Sequence, residues 1–196
     1  MSEPVNSSRR RAAIATAAVP GTLLAAASVV PFAASLRPSE RAKAAGAPVE
    51  VDLSNLKPGE KVNVEWRGKV VWVMRRSAEQ VASIAKVPRS QLNDPDSKIS
   101  EQPAYVDKTT RSAKPDLLVV EGICTHLGCS PVSKLTPGEL GNDWYGGFYC
   151  PCHGSKFDLA GRVYTGSPAP KNLPVPPHRI EGNKLVIGVH PDGREA

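Results

Sequence analysis

Two short segments hold most of the side chains in this sequence that can bind metal or form disulfides. They are Cys124-Thr125-His126-Leu127-Gly128-Cys129 and Cys150-Pro151-Cys152-His153-Gly154-Ser155. All four cysteines of the chain lie in them, each segment adds one of the four histidines, and six of the ten aromatic residues crowd between 144 and 164. Three chemistries suit that composition. Two structural disulfides fit an oxidising compartment, but they leave no reason for a histidine to accompany the cysteines in each segment. A tetrahedral zinc site on Cys124, His126, Cys150 and His153 has suitable ligand types, yet C-x-H is a short spacing for zinc, and Cys129 and Cys152 are left without a task. A 2Fe–2S cluster in which two histidines replace two cysteines on one iron uses Cys124 and Cys150 on one iron and His126 and His153 on the other. Each segment then gives one ligand to each iron.

Such segments must be held by a scaffold, and the rest of the chain reads as short strands joined by turns. Val49-Glu50-Val51-Asp52-Leu53 alternates with period two, as a half-buried strand does. Lys61 to Trp66 alternates again, Arg67-Gly68 turns the chain, and Lys69 to Met74 forms the second arm of a hairpin. Ser77-Ala78-Glu79-Gln80 has the form of a capping box opening a short helix that carries Val81, Ile84 and Ala85. Residues 88–116 are polar, with Pro88, Pro95, Pro103 and Pro115, and read as a long surface excursion. Leu117 to Val120 has the length of a buried strand, and 179–189 reads as two strands about Gly182-Asn183. With 16 glycines and 19 prolines in 196 residues, the pattern excludes a helical bundle and points to antiparallel β-structure with one small helix.

The charge is uneven. A formal net charge of +6 raises the possibility of nucleic-acid binding. However, residues 1–47 carry six basic and two acidic side chains, and the remainder is close to balance at nineteen and seventeen. The excess therefore belongs to the front end, and no nucleic-acid partner is expected. Arg9, Arg10 and Arg11 precede 25 uncharged residues, Ala12 to Leu36. That is long enough for one transmembrane helix with its arginines on the cytoplasmic side. A cleavable signal peptide is the rival reading, with Ala42-Lys43-Ala44 as a small-residue cleavage site. The arginines after Ser8 also resemble, in part, a twin-arginine export signal. Residues 37–48 are small and charged and read as a tether.

C-T-H-L-G-C followed by C-P-C-H-G-S resembles the Rieske iron–sulfur proteins of bacterial ubiquinol–cytochrome c reductases, the cytochrome bc complexes. The arginine-led anchor, Trp66-Arg67-Gly68-Lys69 and Gly166-Ser167-Pro168-Ala169-Pro170 extend the likeness along most of the chain. The resemblance implies a mainly β fold: a Rieske-type antiparallel β-sandwich head with a small cluster-binding subdomain at about 122–170, preceded by a single N-terminal transmembrane helix. It implies a cytoplasmic N-terminus at 1–11, a retained helix or uncleaved export signal at 12–36, a flexible hinge at 37–48 and a periplasmic domain at 49–196. The location implied is the bacterial inner membrane.

The same resemblance implies one Rieske 2Fe–2S cluster held by Cys124, His126, Cys150 and His153, with Cys129 and Cys152 joined as a disulfide. Leu127 would lie at the docking tip, Gly128 beside the cluster, and Pro168 in the loop covering it. Ser155 stands where family members donate a hydroxyl to a bridging sulfide. Phe157 stands where high-potential members carry a tyrosine whose hydroxyl donates to a ligand sulfur, so a lower potential is expected here. As an oxidoreductase subunit, not a complete enzyme alone, the chain would accept one electron from quinol beside cytochrome b and pass it to a c-type cytochrome. His153, with His126, would hydrogen-bond the quinol and couple electron to proton transfer. The alternative implied is an exported soluble Rieske subunit of another periplasmic oxidoreductase, of arsenite oxidase type.

Overall fold

The computed structural model describes residues 6–39, 42, 44 and 46–196. The chain divides into two units, Met1–Ala44 and Ala45–Ala196. The first contains one long helix, α1 (Ser7–Ser35). Asn6 caps it, its side chain accepting from the N–H groups of Ser8 and Arg9 at 3.2 Å each. The helix therefore starts before the uncharged stretch, and Arg9 to Arg11 sit in its first turns. None of its residues is buried, and it is long and apolar enough to cross a membrane. Pro20 and Pro31 lie inside it. Of the expected tether, Glu40, Arg41, Lys43 and Ala45 lie outside the described residues.

The second unit is antiparallel β-structure in three three-stranded sheets. The first sheet orders β1 (Val49–Asp52), β9 (Lys184–Ile187) and β8 (His178–Glu181); the second orders β2 (Lys61–Trp66), β3 (Lys69–Arg75) and β4 (Leu117–Glu121). The third, β5 (Val132–Lys134), β6 (Gly147–Tyr149) and β7 (Lys156–Asp158), is inserted between β4 and β8. The hairpin turn falls at Arg67-Gly68, where both residues have positive φ, 53° and 70°, the geometry that matches the twist of its two arms.

Two cores share the second sheet. Alternation sends Val71, Val73, Leu117 and Val119 to one face, where they pack with Leu53, Leu56, Leu185 and Ile187 of the sandwich. The other face sends Trp72, Met74, Leu118 and Val120 into a second core with Phe148, Phe157, Cys124 and Cys150. Burial on both faces explains why β4 reads as an unbroken apolar run rather than an alternating one. Each such side chain contributes about 1.5–3 kcal/mol from removal of apolar surface.

The short helix α2 (Ala78–Lys86) begins with the expected capping box, Ser77 and Gln80 each accepting from the other's backbone. Its packed face carries Ile84 and Ser83, while Ala85 is exposed, a correction to the expected apolar face. The larger correction concerns 88–116, which is not a surface excursion. Leu92, Asp94, Ser100, Val106, Arg111 and Ser112 are buried. The Asp94 carboxylate accepts from the N–H groups of Lys98, Ile99 and Ser100 and from the Ser100 hydroxyl at 2.6 Å. Arg111 donates to the Leu173 carbonyl at 2.7 Å, and Asn172 donates to the Asp94 carbonyl at 2.8 Å. Polar composition implies exposure only for unpaired groups; these are paired, so the segment is pinned against 160–173.

Candidate metal centre

The two cysteine–histidine segments are loops of the same construction. The first follows β4 and the second joins β6 to β7. In the first, Cys124 N–H donates to the Cys129 carbonyl at 2.8 Å, and Gly128 N–H to the Cys124 carbonyl at 3.0 Å. In the second, Cys150 N–H donates to the Ser155 carbonyl at 2.8 Å, and Gly154 N–H to the Cys150 carbonyl at 2.9 Å. Each loop closes on a glycine with positive φ, 85° at Gly128 and 79° at Gly154, a backbone conformation that side chains disfavour. Matching hydrogen bonds at matching offsets place Cys124 and Cys150 in corresponding positions, while His126 follows its cysteine by two residues and His153 by three.

A disulfide joins Cys129 to Cys152 and ties one loop to the other. Cys124 and Cys150 remain free and are both buried. The imidazoles of His126 and His153 meet edge to face, their centroids 4.8 Å apart at 87°. His126 is half-buried and His153 exposed, and Leu127, next to His126 in the first loop, is 71% exposed. Two thiols therefore face the core and two imidazoles face outward. The Cys150 sulfur also lies within 4.8 Å of both disulfide sulfurs, but a bonded pair cannot offer thiolates, so this three-sulfur group is not itself a ligand set.

The surroundings suit a cation held by this donor set. Burial pushes the Cys124 thiol up, and the neighbouring Cys150 adds to that rise. The Cys124 thiol is therefore a poor thiolate by itself and becomes a good one when a metal ion supplies the compensating charge. Ser155, fully buried, presents its hydroxyl to Cys124 and accepts from Ala169 N–H at 3.0 Å. The loop at 166–171 holds both segments: Ser167 accepts from Lys156 N–H at 3.0 Å, and Thr125 donates to the Lys171 carbonyl at 2.6 Å. Pro168 lies exposed in that loop, next to the buried Ala169. Phe157 is fully buried in β7, opposite Phe148 of β6, and brings no hydroxyl.

Several supporting residues carry no signal in the motifs. Gly122, two residues before Cys124, lies against the Trp72 indole, so any side chain there would collide with Trp72 Cε2 and Nε1. The Arg162 guanidinium donates to Asp158 at 2.7 Å and to the Ile84 carbonyl at 2.9 Å, all buried. Arg76 donates to the carbonyls of Thr110 and Leu159 at 3.0 Å each; burial pushes its pKa down to about 10, against the opposing pull of Asp158. The remaining histidines stand apart from the loops. His178 is buried with its Nδ1 2.9 Å from the Pro176 carbonyl, and His190 packs edge-on against Tyr105.

Fold and site together define an antiparallel β-sandwich protein whose inserted third sheet presents a paired-loop cysteine–histidine centre. Family comparison agrees: residues 48–177 match the Rieske [2Fe-2S] domain, and the chain belongs to that family. The cofactor of the family is a 2Fe–2S cluster, and the donor set described above fits it. Relatives include the "Ubiquinol-cytochrome c reductase iron-sulfur subunit" of Allochromatium vinosum, 52% identical over 187 residues, which cover 94% of this chain and 90% of the relative. The protein of the same name from Bradyrhizobium diazoefficiens is 42% identical over 175 residues, covering 89% of this chain and 88% of the relative. Among solved structures, a chain described as "Hyperthermophilic respiratory Complex III" is 29% identical with a TM-score of 0.47, covering 89% of this chain and 98% of that one.

Proposed function

We propose that this chain is the iron–sulfur subunit of a quinol–cytochrome c oxidoreductase of the cytochrome bc type. It takes single electrons from quinol at a site on cytochrome b and delivers them to a c-type cytochrome, with release of the quinol protons. The observation that carries this reading is the 52% identity over 94% of the chain to a protein named as that subunit, a match that reaches beyond the head. Cys124 and Cys150 bind one iron, and His126 and His153 bind the other. When bound, the cluster supplies one-electron chemistry at about −150 to +300 mV, the range of centres with two histidine ligands.

The chain's residues do the rest. Burial of Cys124 and Cys150 keeps water from the sulfur side, and the 166–171 loop closes over it. His153, exposed, uses the ring nitrogen that does not bind metal to accept a hydrogen bond from a quinol hydroxyl and then to take its proton. His126 offers the same chemistry from the neighbouring loop. Leu127, apolar and 71% exposed, forms the tip that enters an apolar quinol site on cytochrome b, with Gly128 allowing the tight turn behind it. Helix α1 anchors the protein in the bacterial inner membrane. Arg9 to Arg11 keep its N-terminus cytoplasmic and send the head, from residue 49, to the periplasm. Residues 37–48 act as the hinge that lets the head reach both partners.

Electron paramagnetic resonance of dithionite-reduced membranes, with and without an inhibitor of quinol oxidation, tests this function. The expected result is a Rieske signal whose line shape moves with inhibitor. A zinc-containing, iron-free protein, or a Rieske signal indifferent to the inhibitor in a soluble protein, overturns it.

A further inference from the structure

Lys61 lies outside both ligand loops, yet it is placed to act on them. In the β2–β3 pairing it stands opposite Met74, and Asn63 opposite Trp72, so Lys61 is diagonal to Trp72 across the ladder. Its Nζ lies 3.9 Å from the Trp72 ring centroid and 5.9 Å from that of Phe148. The two rings pack together with centroids 4.8 Å apart, and both belong to the core that contains Cys124 and Cys150. The rings also touch the chain at equivalent points. Trp72 lies against Gly122, two residues before Cys124, and Phe148 is itself two residues before Cys150.

A cation over an aromatic face is held by the ring's electron density. Among the described residues no carboxylate pairs with Lys61. On the same sheet, Glu121 is paired with Lys69 at 2.8 Å and Asp116 with Arg75 at 3.3 Å. Its charge is therefore not cancelled locally. Trp72, Phe148, Cys124 and Cys150 are buried in one core, so half-buried Lys61 borders on that side a region poor in water, where a charge is screened less than at the open surface.

We infer that Lys61 raises the reduction potential of the centre, acting through Trp72 and Phe148 as a fixed positive charge behind the two ligand cysteines. Reduction adds one electron to the centre, and a nearby cation stabilises the more negative form. The inference rests on the ligand assignment proposed above. It gives this chain a source of potential that does not need a hydroxyl at position 157, where Phe157 supplies none. Lys61 is a positioning and tuning residue; it touches neither quinol nor ligand.

Redox titration of the full-length holoprotein in membranes, followed by its paramagnetic signal, tests the inference. Lys61→Met keeps most of the stem and deletes the charge, and Lys61→Gln serves if the Met variant fails to accumulate. The neutral variants are expected to lower the equilibrium constant for one-electron reduction by about threefold or more. Lys61→Arg should keep it near wild type, and Lys61→Glu should lower it further than Met. An unchanged or raised potential in the neutral variants overturns the inference, as does an Arg variant that falls as far as Met, which would assign the effect to packing. Absence of a Rieske signal in the wild-type protein instead overturns the ligand assignment itself.

Discussion

Removing the Cys129–Cys152 disulfide has consequences that can be sized from the structure. The bond closes a segment with a sequence separation of 23. The chain-entropy relation then assigns the cross-link about 11 cal/mol/K, or about 3.4 kcal/mol at 25 °C. The head, Ala45–Ala196, should unfold with an entropy of about 0.32 kcal/mol/K at its midpoint, so the loss corresponds to a Tm lowered by about 11 °C. The double variant Cys129→Ser/Cys152→Ser is the right perturbation. A single substitution would leave one free thiol within 4.8 Å of Cys150, where an external disulfide, itself reduced to two thiols, would oxidise the pair to a new disulfide. A second effect follows from where the bond lies, because it joins the two loops that carry the donors. Calorimetry of the purified full-length protein gives Tm, and iron and acid-labile sulfide per chain give cluster content. Both should fall. A double variant melting within about 2 °C of wild type with full iron content would refute the clamp argument, since neither unfolded-state entropy nor loop tethering would then be at work.

Other perturbations have equally definite outcomes. Ser155→Ala removes a buried hydroxyl facing Cys124 and should lower the potential in a redox titration, whereas Phe157→Tyr should raise it; an unchanged or lower potential in the Tyr variant contradicts the tuning role assigned to position 157. Gly122→Ala drives a methyl group into the Trp72 indole, costing about 1–3 kcal/mol as overpacking. Iron content should drop and recover in Gly122→Ala/Trp72→Leu, and a variant with full iron shows that the contact does not hold the loop. For His178, burial holds the imidazole below its ordinary value, with the Pro176 carbonyl opposing. The unfolded chain therefore takes up this proton at higher pH than the native protein does, and between the two stability declines toward acid by up to ~1.4 kcal/mol per pH unit. His178→Asn should flatten that part of a pH series of denaturant midpoints; parallel declines in both proteins would show that His178 is charged in the fold.

Much of this molecule is written in short-range pattern. The Arg67-Gly68 turn, the Ser77/Gln80 capping box, the Gly182-Asn183 turn and the apolar length of α1 each follow from residues within a few positions of one another, and the structure contains all of them. The segment 88–116 reads as exposed although its polar residues are buried by long-range packing: Asp94 is satisfied by its own loop at 98–100, and the loop is then pinned by partners 60–80 positions away, such as Asn172 on the Asp94 carbonyl and Arg111 on that of Leu173, which composition cannot show. Ala85 failed for a related reason: the face a short helix buries is chosen by what it packs against, and Ser83 was taken instead. Trp72, Gly122 and Lys61 had no motif at all.

The donor types themselves, two cysteine–histidine pairs in similar loops, were legible because metal chemistry depends on residue identity and close spacing. The sequence alone determined which atoms could bind and that a long apolar helix stands before the head. Only the tertiary structure decided that the two loops meet, that Cys124 and Cys150 face inward while His153 faces out, and that a lysine rests on the rings behind them. Local hydrogen bonds are set by covalent neighbours. Which groups share a region poor in water is set by the packing of strands distant in the chain, and that shared region controls the strength of every charge near the centre.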